Sequence, residues 1–120
     1  MGVRAVRGAT TVDADTAEAI DKNVRELVSA MLERNQLDKD QLISIFFTAT
    51  SDLHSMFPAA AARALGFGDV PLMCAQELTI VGAVTRCVRV MMHVEDDRDR
   101  RLFHHVYLHG AIGLRDDLPA

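Results

Sequence analysis

Ala17, Ile20, Val24, Leu27, Val28 and Met31 recur at three- and four-residue steps and predict one long amphipathic helix. Asp15, with Glu18 three residues on, stands where a capping box would open it, Asp replacing the usual Ser or Thr. The polar run ERNQLDKDQ (33–41) closes the helix and turns the chain. Ahead of it, VRAVRGATT (3–11) reads as a short strand ended by Gly8, with Val3, Ala5 and Arg7 on one side and Arg4 and Val6 on the other. LISIFFTAT (42–50) is apolar on both faces and rich in β-formers, the pattern of a central strand covered on both sides.

CVRVMMHV (87–94) alternates as a strand does: Cys87, Arg89, Met91 and His93 share one face, and Val88, Val90, Met92 and Val94 the other. Between 42–50 and 87–94 lie a turn, Pro58 at the first turn of a short alanine-rich helix, and Gly66 at its end. A brief extended piece, VPLMC (70–74), follows. Residues Ala75 to Val84 read either as a short helix or as irregular chain, since Gly82 and the β-branched residues oppose helix. EDDRDRR (95–101) is a charged turn, HHVYLHG (104–110) a further strand, and AIGLRDDLPA (111–120) at most a short one. The fold class is therefore α+β, a single mixed β-sheet with one long and one or two short helices, in a single domain over residues 1–120.

Composition narrows the function. A chain of 120 residues can bury roughly two-thirds of its unfolded surface. A net charge of −4 with no basic block argues against nucleic acid as a partner, and no apolar run is long enough for a membrane span. MGVRAVRGATT lacks the apolar segment of a signal peptide, so a cytoplasmic protein is expected. Cys74 and Cys87 stand thirteen apart, outside zinc or redox spacing. With Lys22 and Lys39 the only lysines, eleven of the thirteen basic residues are arginine, whose planar fork grips carboxylates at two points.

The candidate chemistry sits in polar residues within apolar elements: Arg7, Arg63, Glu77, Arg89, Tyr107 and Arg115. Each has an ordinary reading as well. Arg63 suits a solvated helix face, Tyr107 a core or edge aromatic, and Arg7 a wet strand end. Arg89 has less choice. No acidic residue follows it until Glu95, and an unpaired guanidinium on a half-buried face is costly, so an anion is expected there. His104, His105 and His109 do not converge in a strand, and no H-E-x-x-H is present, so no metal and no cofactor is expected. Cys74 is the only plausible thiol nucleophile and has no evident activating histidine. What remains is a site of cations, one carboxylate and one phenol.

RGATTV (7–12), SDLHSMFPA (51–59), VPLMCAQE (70–77), CVRVMMHV (87–94) and HVYL (105–108) closely resemble, in order and in register, the monofunctional α/β chorismate mutases. These are the trimeric class, distinct from the all-helical one. The resemblance runs from Val3 to about Leu118. It implies a homotrimer forming a pseudo-α/β barrel, with active sites between subunits, that converts chorismate to prephenate. The reaction is a unimolecular Claisen rearrangement in the branch toward phenylalanine and tyrosine. It needs no proton shuttle, covalent intermediate, cofactor or metal. Negative charge builds on the ether oxygen in the transition state, and a fixed cation there favours the transition state over the ground state.

Residue by residue, the resemblance makes Arg89 the charge-stabilising arginine and Arg7 with Tyr107 the carboxylate anchors. Glu77 accepts a hydrogen bond from the ring hydroxyl and holds the cationic site. Met73, Cys74, Ala75, Gln76 and Glu77 line the pocket. Phe57 and Arg63 come from a neighbouring subunit, and Leu114 and Arg115 form the covering tail. Ala60 stands where some members have lysine, and GFGDVP (66–71) is one residue shorter than the familiar pattern. The chain ends five residues past Arg115, which leaves closure to Leu114 and Arg115. The alternative is a non-catalytic trimeric domain that binds a carboxylate metabolite, and a second rival is a similar trimer that deaminates small imino acids. The combination of Arg7, Glu77, Arg89 and Tyr107 exceeds what a generic anion site requires.

Overall fold

The computed structural model describes residues 2–117, with only the backbone described beyond Leu114. β1 (Val3–Thr11), β2 (Leu42–Ala49), β3 (Leu72–Gln76), β4 (Cys87–Glu95) and β5 (Val106–Tyr107) form one mixed sheet in the order β3-β2-β4-β1-β5. β4 runs antiparallel to both neighbours, whereas β1–β5 and β2–β3 are parallel. Helices α1 (Ala17–Arg34) and α2 (Pro58–Ala64) cover one face of the sheet.

Helix α1 forms where the apolar period placed it, and Ile20, Val24, Leu27, Val28 and Met31 are its buried stripe. They pack with Val6, Ile45, Phe47, Val88, Val90, Met92 and Val94 from the sheet. The alternation expected in β4 holds: Val88, Val90, Met92 and Val94 are buried while Arg89 is exposed. Pro58 opens α2, and Gly66 follows it at φ 99°, the left-handed conformation that ends helices.

Several expectations are corrected. Gly8 does not end β1, which runs on to Thr11. It lies instead where α1 crosses closest, since a Cβ there would come 2.5 Å from Met31 Sδ. The cap of α1 is Thr16, whose hydroxyl accepts from Ala19 N, rather than Asp15 with Glu18. Asp15 instead fastens the 51–57 loop, accepting from the backbone N–H groups of His54 and Ser55 at 3.0 Å each. β2 is second from the edge, and only its helix-facing side is covered, with Phe46 41 % exposed on the other.

Ala75 to Val84 is not helical. β3 ends at Gln76, and a loop follows whose tip turns at Gly82, φ 82°. The strand expected over 104–110 shrinks to Val106 and Tyr107, and 3-10 helix occupies His109–Asp117 in place of a short strand. His104, two residues before Val106, is held by Asn35 at the end of α1. The Asn35 side chain donates to Met31 O at 2.8 Å and His104 O at 2.9 Å, and accepts from His104 N at 2.6 Å.

Candidate active site

The face of the sheet away from the helices carries the polar residues. Cross-strand pairing puts Tyr107, Ala9, Arg89, Thr48 and Ala75 in one row, one residue from each of β5, β1, β4, β2 and β3. Arg7, Met91, Phe46 and Met73 form a second row beside it. The side chain at Ala9 is a single methyl between Arg89 and Tyr107, so it leaves a hollow instead of filling one. A cavity of about 240 Å³ occupies that hollow, lined by Arg7, Ala9, Phe46, Thr48, Arg89 and Tyr107 among others.

Arg89 is fixed on one side only. Its Nε lies 3.1 Å from Glu77 Oε2, and this is its one ion pair among the described residues. Its two terminal nitrogens have no protein partner among the described residues. Glu77 is itself held at both oxygens. Thr48 Oγ1 donates to Oε2 at 2.8 Å, and the Leu78 backbone N–H donates to Oε1 at 3.2 Å. The Glu77 N–H donates to Ala49 O at 2.9 Å, which extends the β2–β3 pairing past the end of β3 and sets the position of the carboxylate. A carboxylate bound in this way orients the guanidinium plane and leaves its outer edge for an anion.

Thr48 carries no signal of function in the sequence, where it is one β-former among many in LISIFFTAT. Only its register opposite Arg89 reveals its part. Cys87 sits two residues before Arg89 on the same face, buried with Ala9 and Ala111 under Leu114, Val84 and Tyr107. Burial pushes its thiol up, with the Arg89 charge opposing, and its place beside Ala9 and Ala111 is that of a packing group.

Of the residues singled out from sequence, Arg7, Arg89 and Tyr107 meet at this cavity, and Glu77 joins through Arg89. Met73 and Ala75 lie on the same sheet face, toward its β3 edge. Cys74 and Gln76 alternate to the other face, and Cys74 packs against the main core. With Phe57 and Ala75 they line a second hollow of about 510 Å³ beyond the sheet edge. Phe57, 73 % exposed, and Arg63, on the outer side of α2, do not reach the Arg89 cavity within one chain. Leu114 packs over Ala9 and Cys87, while the Arg115 side chain lies outside the described residues. The three histidines go separate ways. His104 is tied to Asn35 through its backbone, His105 accepts from the Arg7 N–H, and His109 Nε2 lies 2.7 Å from Glu26 Oε1.

The family model of type I chorismate mutase matches residues 3–118. The chorismate mutase AroH of Bacillus subtilis is 40 % identical over 98 % of this chain and 94 % of its own length. AroH of Thermus thermophilus is 44 % identical over 98 % of both chains. A solved chorismate mutase from Clostridium thermocellum superposes with a TM-score of 0.87 at 48 % identity, covering 89 % of this chain and 96 % of the other. A sheet face that presents two arginines, one anchored carboxylate and one phenol is thus carried by a chain that belongs to the type I chorismate mutase family.

Proposed function

We propose that this chain is a chorismate mutase that rearranges chorismate to prephenate at the Arg89 cavity. The observation that carries the reading is Arg89, held through Nε by Glu77 with its terminal nitrogens left toward a cavity shared with Arg7 and Tyr107. Arg7 and Tyr107 anchor the substrate carboxylates and fold the enolpyruvyl arm over the ring. Arg89 meets the ether oxygen as its bond lengthens, and Glu77 accepts from the ring hydroxyl while keeping Arg89 in place. Catalysis is electrostatic and conformational.

The site is completed between subunits of a homotrimer. One chain's cavity of about 240 Å³ is below the ~300–1,000 Å³ usual for ligand pockets. Phe57, at the second hollow, and Arg63, on the outer side of α2, close a neighbour's cavity in this reading. Phe46 and Met73, exposed beside it, give the sheet face apolar surface for a partner. The chain works as one domain in the cytoplasm, and no helix among the described residues is long and apolar enough to cross a membrane.

The test is loss of chorismate ultraviolet absorbance on adding pure protein, repeated with citrulline and alanine at Arg89. The alanine variant should lose ~10²–10³ in kcat, the size of one lost oxyanion donor. Citrulline keeps donors but removes the charge, so it should lose kcat heavily and bind only moderately worse. A loss confined to KM would make Arg89 an anchor and overturn the electrostatic role. Co-refolding inactive Arg89→Ala with inactive Arg63→Ala subunits should restore activity. Failure to do so would remove the intersubunit site.

A further inference from the structure

β5 is two residues long, lies at the edge of the sheet, and carries Tyr107. Its ladder to β1 consists of Gly8 opposite Val106 and Ala9 opposite Tyr107, followed by Leu108 N donating to Ala9 O at 2.9 Å. So short a pairing gives little resistance to slippage, and one residue of slip would turn Tyr107 to the other face. Something must hold the register from outside.

The next rung back would pair Arg7 with residue 105. A side chain makes that rung: the Arg7 backbone N–H donates to His105 Nδ1 at 2.9 Å. The imidazole nitrogen takes the place of a backbone carbonyl and prolongs the ladder to the residue that bears the Arg7 guanidinium. Nδ1 accepts only with its lone pair free, so the ring is neutral with its proton on Nε2. The preceding residue is fixed as well, because Asn35 holds both backbone groups of His104. Two consecutive residues thus tie the entry of β5, one to α1 and one to β1.

We propose that His105, as the neutral Nε2–H tautomer, is a positioning residue that sets the spacing between Arg7 and Tyr107. The inference rests on the reading of those two as carboxylate anchors. It assigns His105 no contact with substrate. Its effect passes through the backbone of β1 to Arg7 and through the start of β5 to Tyr107.

The experiment compares His105→Asn, whose Oδ1 can stand near the Nδ1 position, with His105→Leu, which keeps bulk and loses the acceptor. In the leucine variant KM for chorismate should rise about tenfold, the effect of one lost hydrogen bond at an anchoring group, with kcat changed less. The asparagine variant should recover most of the loss. A long-range ¹H–¹⁵N correlation spectrum of the wild-type ring should show Nδ1 unprotonated. A proton on Nδ1, or equal loss in both variants, would overturn the assignment. So would an unchanged KM in the leucine variant. Arg7→Ala separates the two levels. If it raises KM while His105→Leu does not, the anchors stand and His105 fails alone. If it leaves KM unchanged, the anchor reading fails and His105 with it.

Discussion

Replacing Thr48 by valine deletes one hydroxyl while keeping the β-branched shape that a strand favours. That hydroxyl donates to Glu77 Oε2 at 2.8 Å, the same oxygen that Arg89 Nε approaches at 3.1 Å. A hydrogen bond to a charged acceptor contributes roughly 1.5–3 kcal/mol when well enclosed. Here the Glu77 side chain is 25 % exposed and that of Arg89 48 %, so water replaces part of what is lost. The low end applies, about 1–1.5 kcal/mol, or about a tenfold loss of rate. Because the contact orients Arg89, proposed above to act in the transition state, kcat and kcat/KM should fall together. Thr48→Ser restores the hydroxyl and should stay near wild type. Both are measured by the decay of chorismate absorbance, with thermal midpoints as a control on folding. Wild-type kcat and KM in Thr48→Val, or equal impairment in the serine variant, would refute the reasoning.

Asn35 is 2 % exposed, so Asn35→Ala strands the His104 N–H and the carbonyls of Met31 and His104 with little water to replace their partner. A loss of about 2–4 kcal/mol is expected by urea denaturation at fixed protein concentration, and a change under 1 kcal/mol would contradict it. Gly8→Ala sets a Cβ against Met31 Sδ and Leu27, and should cost about 1–3 kcal/mol by overpacking. Met31→Ala in the same chain should relieve much of that, and strict additivity of the two would count against the clash. The Arg98 side chain and its N–H hold the Asp96 carboxyl well below the usual range, and Arg101 likewise lowers Asp99 to about 2. Both folded values lie below the unfolded ones, so their stabilisation is present above about pH 4 and is lost as pH falls toward 2. Asp96→Asn should flatten that acid decline, and an unchanged slope would remove Asp96 from the account.

The elements built on strong periodicity were legible from sequence: α1, and the division of β4 into a valine face and an arginine face. The misreadings share a cause, which is that local pattern competes with tertiary contact. Gly8 looks like a strand breaker until α1 is laid across it. Asp15 looks like a cap until the 51–57 loop takes its carboxylate and leaves the cap to Thr16. The charged, histidine-rich stretch after β4 has no period to read, and its conformation is set by Asn35 some seventy positions earlier. Arg7, Glu77, Arg89 and Tyr107 stand out in the sequence as polar residues in apolar elements, and the resemblance supplies their roles. The fold sets Arg7, Arg89 and Tyr107 at one cavity with Glu77 beside Arg89. Thr48 was invisible because its importance lies wholly in the register opposite Arg89. Alternation within β3 turns Cys74 from the face that carries Arg89 and toward the hollow it shares with Phe57, which the sequence pattern of a brief extended piece did not show.

The same alternation links the stability of this fold to its chemistry. Shifting β4 by one residue would drive Arg89 into the core and bring Val88 or Val90 to the cavity. Four buried side chains on the opposite face of that strand resist the shift, so the burial of Val88, Val90, Met92 and Val94 is also what aims the guanidinium. Glu77 has no such support, standing one residue past the end of β3, and it is held by Thr48, Arg89 and two backbone contacts. Tyr107 has still less, on a two-residue edge strand. The backbone that carries Arg89 is therefore held by the core, while Glu77 and Tyr107 depend on side-chain and edge contacts. Core substitutions in β4 such as Val90→Ala should accordingly reduce kcat along with stability, whereas equal destabilisation at the start of α1, at Ile20, should leave kcat of the folded protein unchanged. Equal loss of kcat from both places, measured well below the unfolding transition, would break the proposed link between core packing and the aim of Arg89.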